Sequence, residues 1–174
     1  MSRYCPSSQW LVLVLACALI AAPVLADDPV IEGFLQPHPE LLIGGQPAPH
    51  ELVAARDAGI GHVINARGDG EFDAWDESAL VDALGMQYHR IPIARADDLN
   101  RATVAEFDRV LDRIDGEAAM LHCGTGNRIG ALYALRAGRI EGQDAETAIE
   151  IGKAHGLAGL EEVVRQKLQE PEEE

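Results

Sequence analysis

Cysteine is almost missing from this chain. Three occur in 174 residues, and two of them, Cys5 and Cys17, fall within the first 26. Cys123 is then left without a partner, which excludes a disulfide framework. Metal-ligand spacing is missing as well: His62, His89 and His155 are scattered and no cysteine cluster accompanies them. No metal and no cofactor are expected. Basic charge is scarce, with 14 Lys and Arg against 29 Asp and Glu and a formal net charge of −15. Nucleic acid needs basic stripes to neutralise its phosphates, so this composition argues against such a partner. It argues equally against docking on anionic lipid. A small anionic substrate stays open, because one focused positive pocket overrides net charge.

Long apolar runs are absent except near the start. Arg3, an apolar stretch over 10–22 and the sequence Val24-Leu-Ala26 read as a secretory signal over 1–26. The apolar stretch is short for a bilayer span of roughly 20 residues. Cys17 after Val14-Leu-Ala hints at lipidation, but Leu15 is bulky for that signal and a cleavage site follows at Ala26. The expectation is an exported, periplasmic protein with no stable membrane association after cleavage. It would carry one domain over 27–168 and a disordered acidic tail over 169–174.

Internal repeats are also lacking, and what remains alternates in type. Short apolar runs at Leu41-Leu-Ile43, His62-Val-Ile-Asn65, 88–93 and 118–122 read as strands. Helix-like spacing of apolar residues appears at 49–58, 75–84, 103–114, 128–137, 144–155 and 159–168. Asp76 and Asp144 are placed to cap two of these helices. This alternation predicts an α/β fold with a small, mostly parallel central sheet covered by helices on both faces.

The chemistry centres on Leu121-His-Cys-Gly-Thr-Gly-Asn-Arg-Ile-Gly130. An apolar run ends in a glycine-rich turn, and an arginine opens a helix-like stretch. Backbone N–H groups at a helix start, with an arginine beside them, favour an oxyanion and the thiolate form of a cysteine. Gly124 and Gly126 let N–H groups converge on one anion, and Arg128 can grip two of its oxygens. A buried structural cysteine is the ordinary alternative, but it requires neither these glycines nor the arginine. The segment is no GxxxxGK[ST] phosphate loop, since no such lysine follows. Its glycines at 124, 126 and 130 miss the GxGxxG spacing by one.

His122-Cys123-Gly-Thr-Gly126-Asn-Arg128 resembles the His-Cys-x-x-Gly signature of cysteine-dependent phosphatases of the dual-specificity type. With Gly44-Gly-Gln-Pro47 and Val63-Ile-Asn-Ala-Arg67, it is similar to the bacterial beta-lactamase-hydrolase-like phosphatase domain. The resemblance runs over about 34–157. It implies a hydrolase in which the Cys123 thiolate attacks phosphorus while the loop and Arg128 hold the other oxygens. It implies that His122 orders the loop and favours the thiolate, and that a general acid lies near Asp97 and Asp98, with Asp98 preferred. The competing reading of either aspartate is a helix cap or a solvated turn. Thr125 and Asn127 either donate to the anion or stiffen the turn. Arg67 and Arg95 read as surface charges, with extension of the anion site as the other reading. Gln46 and Trp75 read as packing, with a place in the pocket wall as the other reading.

Two features depart from the phosphatase pattern. Four residues separate Cys123 from Arg128 where phosphatases place five, and Ile129 stands where they carry Ser or Thr. The tighter ring resembles the loop of rhodanese-like sulfurtransferases, whose cysteine carries a persulfide. A sulfurtransferase is therefore the second reading. A catalytically silent oxyanion-binding module is the third.

Overall fold

The computed structural model describes residues 31–170. The segment read as a secretory signal and the last four residues lie outside the described residues. The four apolar runs form β2 (Leu41–Gly44), β3 (His62–Arg67), β4 (Gln87–Ile93) and β5 (Ala119–His122). They pair in parallel in the order β2-β5-β3-β4. A strand the sequence reading did not anticipate, β1 (Leu35–His38), adds antiparallel to β2 at one edge. The sheet is thus five-stranded and mostly parallel, as expected.

Parallel strands buried on both faces carry apolar side chains at consecutive positions. Here Leu42, Val63 and Met120 point to one face, and Ile43, Ile64 and Leu121 to the other. The first face packs against α1 (Pro49–Asp57) and α2 (Glu77–Ala83) through Leu52, Ala55 and Val81. The second packs against α3 (Arg101–Ile114), α4 (Asn127–Arg139), α5 (Ala145–Ala154) and α6 (Glu161–Gln169). Helix α3 presents Val104, Phe107, Val110 and Ile114 inward, the stripe its spacing predicts.

Three helix starts are held by side chains. Asp76 accepts from Ala79 N on α2, Asn100 from Thr103 N on α3, and Asp144 from Glu146 N and Thr147 N on α5. Each such cap contributes about 1 kcal/mol. Gln169, where the acidic tail was expected to start, is instead the last residue of α6. No described helix is long and apolar enough to cross a membrane.

Two histidines couple this fold to pH. His62 Nδ1 and His89 Nε2 lie 3.1 Å apart, so one must donate to the other and the pair excludes a second positive charge. Burial, with His62 and Arg113 nearby, pushes His89 below its ordinary 6.5. His155 stacks on Tyr133 at 3.9 Å and donates from Nδ1 to Ile151 O; burial pushes it down too. Folded, both rings bind their protons at lower pH than they do unfolded. Stability is therefore intact above about 6.5 and falls as pH drops below it, because the unfolded chain then holds more protons. Thermal melts should show Tm falling between pH 7 and 5.5, with a shallower fall in a His89→Gln/His155→Phe variant. A Tm that rises over that interval would contradict the assignment.

Candidate active site

Strand β5 is the middle strand, and its carboxyl end delivers Cys123 into the turn before α4. Ligands in such sheets bind beyond the carboxyl ends of strands. The thiol is 1% exposed and accepts from Gly126 N at 3.1 Å and Thr125 N at 3.5 Å. Amides therefore converge on the sulfur. Gly126 permits this because it takes φ +85°, which L side chains rarely adopt. The segment Gly44-Gly45 braces the loop from the neighbouring strand: Gly44 O accepts from Cys123 N at 3.3 Å, and Gly45 pairs with Thr125. A Cβ on Gly45 would stand 3.1 Å from Gly124 O, so small residues are needed there.

Arg128 points back over this loop, and four contacts fix it. Nη1 and Nη2 donate to the two carboxylate oxygens of Glu71, each at 2.6 Å, and Nη1 donates to Ile93 O at 2.7 Å and Ala66 O at 3.4 Å. That uses the outer edge of the guanidinium. Nη2 also borders the loop, where a Cβ on Gly124 would lie 3.3 Å from it. The Arg128 hydrogen bonds hold the Glu71 carboxyl down at about 2, and the same bonds raise Arg128. Both groups stay charged across the working pH range. Glu71 is a residue the sequence reading missed, since nothing near it marks it out among many carboxylates.

A cavity of about 380 Å³ opens beside the loop. Gly124, Thr125, Asn127 and Arg128 form its polar end, and Ile93, Ala94, Leu99 and Leu160 its apolar wall. Arg95 lines it too, so this arginine is placed at the site. Asp97 and Asp98 do not line it. Asp98 caps the single turn Ala96–Asp98, accepting from Ala94 N at 2.8 Å and Arg95 N at 2.9 Å, and these bonds hold its carboxyl below the usual range. Asn127 stiffens the turn: its Oδ1 accepts from Ala158 N at 2.8 Å and Leu160 N at 3.4 Å.

Behind the loop lies a buried polar group. His122 is fully buried, with Nε2 2.7 Å from Glu77 Oε1. Asn65 and Gln46 donate to Glu77 Oε2 at 2.9 and 3.2 Å. Arg67, read from sequence as a surface charge, is largely buried. It donates to Gln46 Oε1 at 3.2 Å and to Glu71 O at 2.8 Å, and so ties the strand end to the loop that holds Arg128. Gln46 is likewise a hydrogen-bonding link rather than simple packing. Trp75 does pack, half-buried beside α1 and α2. His62 and His89 meet at the opposite end of β3 and β4, away from Cys123, and no described group of three His, Cys, Asp or Glu could hold a metal.

No family model matches the chain. Known structures share its fold. Tk-PTP in its active form superposes with a TM-score of 0.61 at 16% identity, covering 79% of this chain and 97% of that one. TpbA of P. aeruginosa, solved in complex with pTyr, gives 0.58 at 18%, over 76% and 80%. These likenesses show that the chain has a phosphatase-like α/β fold, with the cysteine loop at the carboxyl end of its middle strand. The sequence is similar to one segment of the beta-lactamase hydrolase-like proteins. That of Xylella fastidiosa (strain Temecula1) is 31% identical over 126 residues, and that of Agrobacterium fabrum (strain C58) 32% over 124. In both cases the match takes in 67% of this chain but only 28% of the relative's length.

Proposed function

We propose that the protein hydrolyses small phosphate monoesters through a phosphocysteine on Cys123. The observation that carries this reading is the convergence of the Thr125 and Gly126 amides on a thiol that Arg128 overhangs. The thiolate attacks phosphorus, the phosphorus–oxygen bond to the leaving group breaks, and that oxygen departs with the bonding pair. Water then attacks the phosphocysteine, releasing inorganic phosphate and restoring the thiol. Charge on the equatorial oxygens falls to the loop amides and to the open edge of Arg128. The apolar wall of Ile93, Leu99 and Leu160 suits an aryl leaving group.

Neither Asp97 nor Asp98 lines the cavity, and Asp98 is held ionised. The proposal therefore gives the leaving oxygen no proton donor from this loop arrangement. Turnover should be strongest with phenols acidic enough to leave as anions, and it should fall steeply for alkyl phosphates.

The short loop favours a second reading. With four residues between Cys123 and Arg128, the ring that holds the anion is tighter than in phosphatases. The same amides would then stabilise a persulfide on Cys123 during sulfur transfer. Parallel assays of aryl phosphate hydrolysis and thiosulfate-to-cyanide transfer, with Cys123→Ser as the control, separate the two. The reading of an exported, periplasmic enzyme rests on residues 1–26 and remains part of this proposal.

A further inference from the structure

We propose that Glu77 is a positioning residue for Cys123, acting through His122. The inference rests on the reading of Cys123 as a thiolate nucleophile, but its test does not need phosphate turnover. Among the described residues Glu77 is the one buried carboxylate, and with Asn65 and His122 it makes up three of the four buried polar residues. All three lie directly behind the cysteine loop. A buried carboxylate costs several kcal/mol unless it is well partnered. Nothing in helix formation demands one at this position, because Asp76 already caps α2.

The partners of Glu77 are arranged to aim it. Asn65 Nδ2 and Gln46 Nε2 hold Oε2, and Asn65 is itself fixed by Arg67 N on its Oδ1 at 2.7 Å and by Tyr88 Oη on its Nδ2 at 2.8 Å. Oε1 is left 2.7 Å from His122 Nε2. The contact is short but out of line for a directed N–H···O bond, and neither ring nitrogen has an aligned partner. Charge holds such a contact rather than direction. A proton on His122 Nε2 makes it favourable.

His122 is covalently next to Cys123, and the inference requires a proton on both ring nitrogens, because only the imidazolium places positive charge beside the thiolate and offsets the Glu77 carboxylate. The other charged or titratable groups around this centre are Arg67 on β3, Tyr88 on β4, Glu71 on the intervening loop and Arg128 on α4. Arg67 and Arg128 are paired to Glu71. Burial and the Glu77 carboxylate both push Tyr88 up, so it stays neutral. Glu77 is thus the group that sets the charge of His122.

The test is the rate at which iodoacetamide alkylates Cys123 in the wild type, Glu77→Gln, His122→Asn and the double variant. Glu77→Gln keeps the shape and loses the charge. It should melt within a few degrees of wild type, react about tenfold more slowly at pH 6.5 and match wild type at pH 9. The tenfold effect should vanish when His122 is already Asn. Wild-type rates in a folded Glu77→Gln, or an undiminished effect in the His122→Asn background, would overturn the inference. Should Glu77→Gln not fold, ring-nitrogen NMR of wild-type His122 decides the matter: protons on both ring nitrogens are expected at pH 6.5, and a neutral ring overturns the inference. A wild type that releases no phosphate yet has a Glu77-dependent thiol would sink the phosphatase reading and leave this inference standing.

Discussion

Replacing Arg128 by lysine should lower kcat for an aryl phosphate by about 10²–10³-fold, with KM changing much less. The loss follows from geometry rather than from charge, which lysine keeps. Arg128 is clamped by Glu71 and by Ile93 O, which fixes its guanidinium beside the loop, and the proposed mechanism gives its remaining N–H donors to the phosphoryl oxygens. A lysine ammonium is a point charge that can serve Glu71 or the substrate but cannot present two parallel donors. Removing one well-placed donor from an oxyanion site typically costs about 10²–10³ in kcat. Because charge on the phosphoryl oxygens is redistributed in the transition state, the deficit belongs to kcat. Steady-state kinetics of Arg128→Lys test this. A variant with wild-type kcat and a raised KM would show that the arginine only binds substrate.

The second large effect is structural. Gly130→Ala should lower Tm by about 6 °C or more and take activity with it. Helix α4 begins at the cysteine loop and crosses the α5–α6 connection so closely that a Cβ on Gly130 would lie 2.0 Å from Leu157 N and 2.7 Å from Gly152 O. Gly152 faces the same contact, with a Cβ there 2.8 Å from Gly130 O. These obstacles are backbone atoms and cannot rotate away. Overpacking of this kind costs about 3 kcal/mol or more, against roughly 1 kcal/mol gained in helix propensity. Each kcal/mol moves Tm by about 3 °C in a domain of this size. Displacing α4 also displaces Gly126 and Arg128, the two ends of the anion site. Gly138→Ala in the same helix is the contrast. Its nearest obstacle is the end of the flexible Leu168 side chain, at 2.4 Å, so its Tm should drop far less. Equal losses in the two variants would refute the packing argument.

What could be read in advance followed from how local each signal is. The cysteine loop is contiguous from His122 to Arg128, and its glycines and arginine announce an anion site on their own. The four parallel strands were legible because burial on both faces makes them apolar at successive positions. Strand β1 was not, for Leu-Gln-Pro-His is exposed throughout and has no alternation to betray it. Glu71 and Glu77 were illegible for another reason. Glu71 meets Arg128 across 57 positions, and Glu77 reaches His122 only because β3 and β5 are neighbours. Asp98 shows the converse: its place just before α3 suited either an acid or a cap, and the structure uses it as a cap. Arg67 misled because charge in an acidic sequence reads as surface, whereas the fold buries it by supplying Gln46 and Glu71 as partners.

The central claim is that Cys123 and the anion loop perform phosphoryl transfer. The most direct measurement is release of inorganic phosphate from p-nitrophenyl phosphate by the purified protein and by Cys123→Ser, with thiosulfate-to-cyanide sulfur transfer assayed on the same samples. The account predicts phosphate release in the wild type that disappears in Cys123→Ser, and no appreciable thiocyanate. Cys123-dependent thiocyanate without phosphate release would contradict it, and would show that the four-residue loop holds sulfur rather than a phosphoryl group.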